Sequence, residues 1–492
     1  MGAATYGFFI DGAWTTPKTK ARFETTNPAT GEVLATFPQG TTADVVTAIA
    51  AAEAALPAWK ATPAPARGAI ALRAAELMRA RKKELGALVT AEMGKVLTEG
   101  NGDVQEAIDF FEYIAGEGRR LLGETTPSEL RDKFCMTVRQ PIGVVGLITP
   151  WNFPIAIPVW KIGAAMVAGN TMVFKPASAT PLCAARVVEI LTEAGLPKGV
   201  LNMVTGPGDP VGMELANNPR VRAVSFTGSV DVGRTVYTAA AAHLKPVELE
   251  MGGKNPQIVM DDANLDLAVE GALFGAFGTA GQRCTATSRL IVHEKVYEQV
   301  KKKLLKALET FTIGDPSDPG VKMGPLCSKQ QCETVLRYIE VGKKEASLLV
   351  GGTRLSGKAY DRGFFVSPTI FETAHGTRIS KEEIFGPVLS LIKAKDYADA
   401  VRIANDVDYG LSSSLYTRNV NLAFRAIKDF ETGITYINAP TIGAEVHLPF
   451  GGIKHTGNGG REAGTTAIDE FTEFKTVFVD YSDRLQKAQG IQ

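Results

Sequence analysis

Pro141-Ile142-Gly143-Val144-Val145-Gly146-Leu147-Ile148-Thr149-Pro150-Trp151-Asn152-Phe153-Pro154-Ile155-Ala156-Ile157-Pro158-Val159-Trp160 runs twenty residues without a charge, between Arg139 and Lys161. A helix of that length is long enough to span a bilayer. The run also holds Pro141, Pro150, Pro154 and Pro158, and prolines at that density break a helix repeatedly. It therefore predicts a buried strand over 143–148, a loop, and a helix starting near Pro158, in a soluble protein.

Outward from that run, apolar stretches alternate with helical ones. Thr171-Met172-Val173-Phe174, Val200-Leu201-Asn202-Met203-Val204 and Ala223-Val224-Ser225-Phe226 each precede a loop marked by Gly or Pro and then a helical pattern. Repeated β-then-α units predict a parallel sheet with helices on both faces, and such sheets bind ligands at the carboxyl ends of their strands. A second set starts at Pro256-Gln257-Ile258-Val259-Met260. It continues through a helix over 265–279, the strand Arg289-Leu290-Ile291-Val292 and a Lys-rich helix over 294–308. This reads as a second α/β domain reaching roughly residue 464.

Ahead of both, Phe8-Phe9-Ile10-Asp11-Gly12 reads as a strand and turn. Val45, Val46 and Ile49 recur at helical spacing within 42–59, with Thr42 placed to cap, and helices over 67–81, 83–93 and 101–122 follow. Two segments, 124–139 and 473–481, read as hairpin or edge-strand material, and Thr476-Val477-Phe478-Val479 is apolar. An exposed apolar strand needs covering, which points to a strand shared between subunits.

The 492 residues are 45% hydrophobic and 22% charged, an ordinary globular composition with room for two or three domains. Lys+Arg and Asp+Glu both total 53, so no charge excess points to nucleic acid or an anionic membrane. Met1-Gly2-Ala3-Ala4-Thr5-Tyr6 shows no basic region followed by an apolar core, and Tyr6 stands where acylation of Gly2 wants Ser or Thr. Cys135, Cys183, Cys284, Cys327 and Cys332 are sparse, odd in number and without a CxxC pair. That argues against a disulfide framework or a metal site and suits a reducing cytoplasm.

Phe277-Gly278-Thr279-Ala280-Gly281-Gln282-Arg283-Cys284-Thr285 places one cysteine among small residues. A free cysteine is most often a small buried hydrophobe, but small neighbours leave room for a substrate carbon. A thiol adding to an aldehyde makes a hemithioacetal whose oxyanion needs donors. The Asn152 amide and the Cys284 backbone N–H can supply them. The adduct can lose hydride to a nicotinamide and leave a thioester, which water cleaves. Glu250 ends an apolar run over 247–251, ahead of Gly252-Gly253. A carboxyl at the end of a buried strand has a raised pKa, fit to activate the thiol or the water.

Trp151-Asn152-Phe153-Pro154, Phe174-Lys175-Pro176, Phe226-Thr227-Gly228-Ser229, Glu250-Met251-Gly252-Gly253-Lys254, Gly281-Gln282-Arg283-Cys284, Glu383-Ile384-Phe385-Gly386-Pro387 and Pro449-Phe450-Gly451-Gly452 follow one another in this order. The series resembles the aldehyde dehydrogenase superfamily over essentially the whole chain. The resemblance implies an α/β fold: a Rossmann-type dinucleotide-binding domain (1–121 and 140–249), a catalytic domain (250–464) and a small β oligomerisation element (122–139 and 465–492). It implies a homo-oligomer, dimer or tetramer, that oxidises a small aldehyde to a carboxylate with NAD(P). In it Cys284 is the nucleophile, Glu250 the general base, Asn152 the oxyanion donor and Lys161 part of a proton relay behind the base. Lys175 contacts the adenosine ribose, Glu383 holds the nicotinamide ribose and Phe385 packs by the ring. Trp151, Gly208, Gly212, Phe226, Thr227 and Gly228 are assigned to the cofactor too, and Ser229 stands at a helix start that can receive the pyrophosphate. Gly206 to Gly212 does not meet the GxGxxG spacing, but the family uses its own glycine pattern.

Relatives that prefer NAD often carry Glu three residues after the Lys175 position, where this chain has Ser178. A carboxylate repels a 2′-phosphate, whereas Ser beside Lys175 accepts one, so NADP is expected to be preferred over NAD. The alternative is that Ser178 only caps the helix after it. Phe153, Ile157, Trp160 and Phe450 are expected to form an apolar tunnel for substrate, with Thr285 beside the thiol. Arg283 either pairs with a carboxylate or phosphate of the substrate or is a structural residue bonded to backbone. The segment 442–450 is similar to semialdehyde dehydrogenases, particularly the 2-oxoglutarate semialdehyde type. Succinate semialdehyde enzymes usually carry Arg where this chain has Trp160. His447 either bonds substrate or braces its loop. Relatives that pass the acyl group to coenzyme A commonly lack the general-base Glu, so Glu250 speaks for hydrolysis.

Overall fold

The computed structural model describes residues 4–17 and 19–489. Residues 1–3, where the leader and acylation readings fall, and 490–492, the end of the expected oligomerisation segment, lie outside the described residues.

Five parallel strands make up most of the first sheet, in the order Val247–Glu250, Ala223–Thr227, Val144–Ile148, Thr171–Lys175 and Leu201–Met203. The hairpin of Phe8–Ile10 and Ala13–Thr15 then adds antiparallel at one edge. Every residue of Val144–Ile148 is buried, as both faces of a parallel sheet are covered. From that strand the chain winds one way through Thr171–Lys175 and Leu201–Met203. It then returns to the other side for Ala223–Thr227 and Val247–Glu250. The reversal leaves a crevice beyond the carboxyl ends of Val144–Ile148 and Ala223–Thr227, where such sheets bind ligands. Trp151 and Asn152 follow the first of these strands, Gly228 and Ser229 the second.

The charge-free run resolves into that central strand, a turn and the helix Ala156–Ala168, buried at every residue. A helix apolar on all faces but for the single Lys161 belongs in an interior. It starts at Ala156, two residues ahead of Pro158, which falls in the first turn where a missing N–H loses no bond. No helix among the described residues is long and apolar enough to cross a membrane.

The second sheet runs Ser347–Val350, Thr369–Glu372, Val388–Ala394, Thr287–His293, Asn255–Val259, Ser412–Tyr416 and Ile434–Ile437, parallel except at Ser347–Val350. The buried Arg289 guanidinium pins it by donating to the carbonyls of Lys254, Ile403 and Ala404. Thr472–Asp480, Lys133–Pro141 and Thr125–Pro127 form a third, antiparallel sheet, whose outermost strand exposes Phe474, Phe478 and Val479.

Several boundaries depart from expectation for local reasons. Thr41, not Thr42, caps the first long helix, its N–H and hydroxyl both donating to Asp44. That helix, Thr42–Ala61, continues through Pro57. The next three helices are Ala64–Ala80, Lys82–Met93 and Leu97–Glu117. The Lys-rich helix begins only at Tyr297. No strand forms over 465–471: Thr466–Asp469 is helical because Ala467, Ile468 and Phe471 bury together against the first core, where Ala463 also packs.

Candidate active site

The helix Leu265–Phe277 ends in a tight turn, Gly278–Gly281, in which Thr279 and Ala280 take φ of 51° and 52°. Gly281 follows at φ 68°, and a Cβ there would lie 2.2 Å from the Gly386 carbonyl oxygen, so only glycine fits. The expected helix over 265–279 is shortened by this turn, which redirects the chain to present Cys284. Buried Gln282 locks the loop: its Nε2 donates to the Thr279 carbonyl at 3.0 Å, and its Oε1 accepts the Cys327 N–H at 2.9 Å. Asn152 Nδ2 donates to the Gln282 carbonyl at 3.0 Å, which sets its amide beside the half-buried Cys284. Burial pushes the Cys284 thiol pKa up, and the charges of Glu250 and Glu383 push it further.

Glu250 ends its strand at 2% exposure, and neither carboxylate oxygen has a hydrogen-bond partner. Burial raises its pKa well above the ordinary carboxyl range, and Glu248, Glu462 and Glu470 add to the rise. Lys161 stands behind it without bonding to it. Its Nζ donates to Ser225 Oγ at 2.6 Å, to Glu248 Oε2 at 3.0 Å and to Glu462 Oε1. Burial opposes that ammonium's charge, but Glu248 and Glu462 together hold its pKa above the ordinary lysine value. Glu248 and Glu462 were not legible as site residues. Gly460-Arg461-Glu462 carries no local pattern that marks it.

Trp151, Asn152, Ile157, Glu250, Cys284 and Phe385 wall one cavity of about 280 Å³. Thr227, Gly228, Ser229 and Glu383 complete its expected members. Glu383 Oε1 accepts the Gly253 N–H at 2.9 Å, and a Cβ on Gly252 would lie 2.0 Å from Oε2. Burial lifts the Glu383 pKa to about 7, while the Gly253 N–H and Lys254 pull it back. Phe385, at φ 57°, meets the Trp151 ring edge-on at 5.4 Å. Ser229 leads the helix Val230–Ala241, whose first N–H groups can take an anion. Phe226 does not reach the cavity: it lies in the core under Gly228, whose Cβ would fall 2.5 Å from its ring.

Lys175, Ser178, Gly208 and Gly212 lie outside the walls of that cavity. Lys175 Nζ donates only to its neighbour Pro176, at 3.0 Å, and burial lowers its pKa to about 8. Gly212 packs on its stem, while Gly208 has open space around it. The helix after Ser178, Pro181–Glu193, has Thr180 as its N-cap. Ser178 Oγ instead donates to the Gly206 carbonyl at 2.9 Å, so the capping alternative fails. The Lys175 ammonium, the Ser178 hydroxyl, the helix start at Ser229 and the Glu383 carboxylate are groups of the kind that bind the phosphates and riboses of a dinucleotide.

Of the residues expected to form a substrate tunnel, Trp160 meets Phe450 edge-on at 5.4 Å and lies near Phe110 at 6.0 Å. Buried Thr285 accepts the Thr441 hydroxyl on its carbonyl at 2.7 Å. Arg283 is bonded to side chains rather than to backbone: Nε to Thr279 Oγ1 and Nη2 to Glu99 Oε1, both at 3.0 Å. Its guanidinium also faces Phe153 at 5.5 Å. His447 is half-exposed and 3.5 Å from Glu445, a loop contact.

A family model described as "Aldehyde dehydrogenase family" matches residues 14–477. The chain is 45% identical to alpha-ketoglutaric semialdehyde dehydrogenase of Bacillus subtilis, over 96% of this chain and 98% of that one. Betaine aldehyde dehydrogenase from Staphylococcus aureus, solved in complex with NAD+, superposes with a TM-score of 0.95 at 32% identity, covering 99% and 97% of the two chains. An NADP dependent enzyme of Escherichia coli superposes at 0.92 with 41% identity, covering 97% and 98%.

A buried thiol facing a carboxylate should resist ionisation. Alkylation of Cys284 by iodoacetamide, followed without cofactor from pH 6 to 10, is expected to keep rising beyond the usual thiol midpoint of about 8.5. A plateau by pH 8 would contradict this geometry.

Proposed function

The chain belongs to the aldehyde dehydrogenase family, and on that premise we propose that it oxidises a small aldehyde to its carboxylate with a nicotinamide dinucleotide. One observation carries the proposal. A buried carboxyl without a hydrogen-bond partner, Glu250, walls the same cavity as the Cys284 thiol and the Asn152 amide.

Glu250 takes the thiol proton as Cys284 Sγ bonds to the carbonyl carbon. The electron pair displaced onto oxygen meets the Asn152 N–H left free by its bond to Gln282, together with the Cys284 backbone N–H. A bound nicotinamide would supply the hydride acceptor, and loss of hydride from that carbon would leave a thioester on Cys284. Glu250 then takes a proton from water, the resulting hydroxide adds to the thioester carbon, and the C–S bond breaks to release carboxylic acid and thiolate. A carboxyl whose pKa is raised by burial is the stronger base for both transfers. Glu462 and Lys161 lie behind it as the groups through which its proton leaves. Trp151, Phe385 and Glu383 hold the nicotinamide end, and Lys175 and Ser178 the adenosine end.

NADP is preferred over NAD in this reading, because Ser178 and Lys175 tolerate a 2′-phosphate where a carboxylate would repel it. The favoured substrate is an ω-carboxy aldehyde: Arg283 retains Nη1 for a substrate carboxylate once Thr279 and Glu99 have taken its other groups. The relative from Bacillus subtilis, named for such a semialdehyde, supports that choice. Two or more copies assemble through the apolar edge of Thr472–Asp480. Five free cysteines suit a reducing cytoplasm.

NADP reduction by a semialdehyde should proceed without coenzyme A and fall at least about a thousandfold in Cys284→Ser. Glu250→Gln should slow both the first turnover of reduced cofactor and the release of the thioester; steady turnover equal to the parent's would rule out Glu250 as the base. Ser178→Glu is expected to raise the KM for NADP about tenfold while improving NAD use. Arg283→Ala should lower kcat/KM for ω-carboxy aldehydes about tenfold more than for neutral ones of similar length. Equal losses on both classes would make Arg283 structural.

A further inference from the structure

Glu99 and Asp103 stand four residues apart on the helix Leu97–Glu117 and so share one face. Asp103 is sealed from solvent. Its Oδ1 accepts the Ala156 backbone N–H at 2.7 Å and its Oδ2 accepts from Lys95 Nζ at 3.0 Å. The same Nζ lies 3.8 Å from the centre of the Phe153 ring. Ala156 begins the helix that follows Asn152 and Phe153, so both contacts fix where the Asn152 amide stands. Glu99 acts on the other half. Its two oxygens accept the Thr279 N–H at 2.9 and 3.1 Å, and Oε1 pairs with Arg283 Nη2 at 3.0 Å. In the left-handed turn before the thiol, Thr279 thus takes its acceptors from this side chain, and Gly278 passes so close that a Cβ would lie 3.0 Å from Glu99 Oε1.

We propose that Glu99 and Asp103 are positioning residues, a bracket on one rigid helix that sets the separation between the Asn152 amide and the Cys284 thiol. The bracket rests on the reading that Cys284 adds to the aldehyde and Asn152 receives the oxyanion. Its third side is the bond from Asn152 to the Gln282 carbonyl, which spans the two halves. Neither carboxylate takes part in a bond-making step; each acts through the segment it holds. A shift of about 1 Å between reacting groups can cost about a hundredfold in rate.

Aldehyde oxidation needs both halves in register, whereas alkylation of Cys284 by iodoacetamide forms no oxyanion and needs the thiol alone. Asp103→Asn keeps the side-chain shape and removes the charge that holds Lys95. Lys95→Met combined with Asp103→Asn removes the pair without stranding a buried ammonium, and serves where the single variant does not fold. In either, kcat for a semialdehyde with NADP should fall about tenfold or more. The alkylation rate, the KM for NADP and the circular dichroism spectrum should stay within about twofold of the parent. Glu99→Ala, which releases the turn before the thiol, should change alkylation and oxidation together. Folded Asp103 variants that oxidise as fast as the parent, or that lose alkylation in step with oxidation, overturn the bracket. Cys284→Ser is the control: activity surviving there sinks the catalytic reading itself, and the bracket with it.

Discussion

Four carboxyl groups and one ammonium share the interior behind Cys284, and that imbalance governs the site. Lys161 is engaged by Glu248 and Glu462 together with Ser225, so no cation is left for Glu250 or Glu470. A buried carboxylate without a cation beside it is expensive, so the pKa of each is raised. Burial is the first cause for Glu250, Glu462 and Glu470 alike, and mutual repulsion adds to it. Burial first, then Glu250, Glu383 and Glu462, push the Cys284 thiol pKa up as well. A half-buried thiol with a raised pKa is slow to climb the oxidation ladder.

That arrangement exists because the carboxyl ends of the first sheet meet the amino ends of the second at one crevice. One supplies Asn152 and Glu250 from the ends of Val144–Ile148 and Val247–Glu250, on either side of the strand-order reversal. The second sheet supplies Cys284 from a loop ahead of Thr287–His293, and Glu383 ahead of Val388–Ala394. Close approach is bought with glycine: Gly252 lies against the Glu383 carboxylate and Gly281 against the Gly386 carbonyl. Neither position has room for a side chain, so the backbone itself forms the wall there.

How much of this was legible follows from the range of each interaction. Val144–Ile148, Ala223–Thr227 and the other core strands announced themselves through continuous apolar runs, because burial on both faces leaves no polar alternation. Cys284, Glu250 and Asn152 were readable from short motifs whose neighbours are local in sequence. Phe226 was misplaced because a motif residue pointing into the core looks the same on paper as one pointing into the cleft. Ser178 was ambiguous until Thr180 took the cap and Gly206 took the hydroxyl. Glu99, Asp103 and Glu462 were invisible, since the backbone groups and charges that mark them, apart from Lys95, lie 53 to 301 positions away and no periodicity encodes such a pairing.

The helix Ala156–Ala168 has no face turned to solvent. Every side chain along it is therefore walled in by neighbours already at close-packed density, and Trp160 presses on both Phe110 and Phe450. Adaptation to longer or shorter aldehydes is thus poorly served by this rod, where enlarging one residue would propagate strain through the dinucleotide-side core. The opposite wall is another matter: Glu445, His447 and Leu448 sit in an open loop just ahead of Phe450. Evolutionary drift in substrate reach has its cheapest raw material there, in a stretch that can lengthen or reshape without disturbing either sheet.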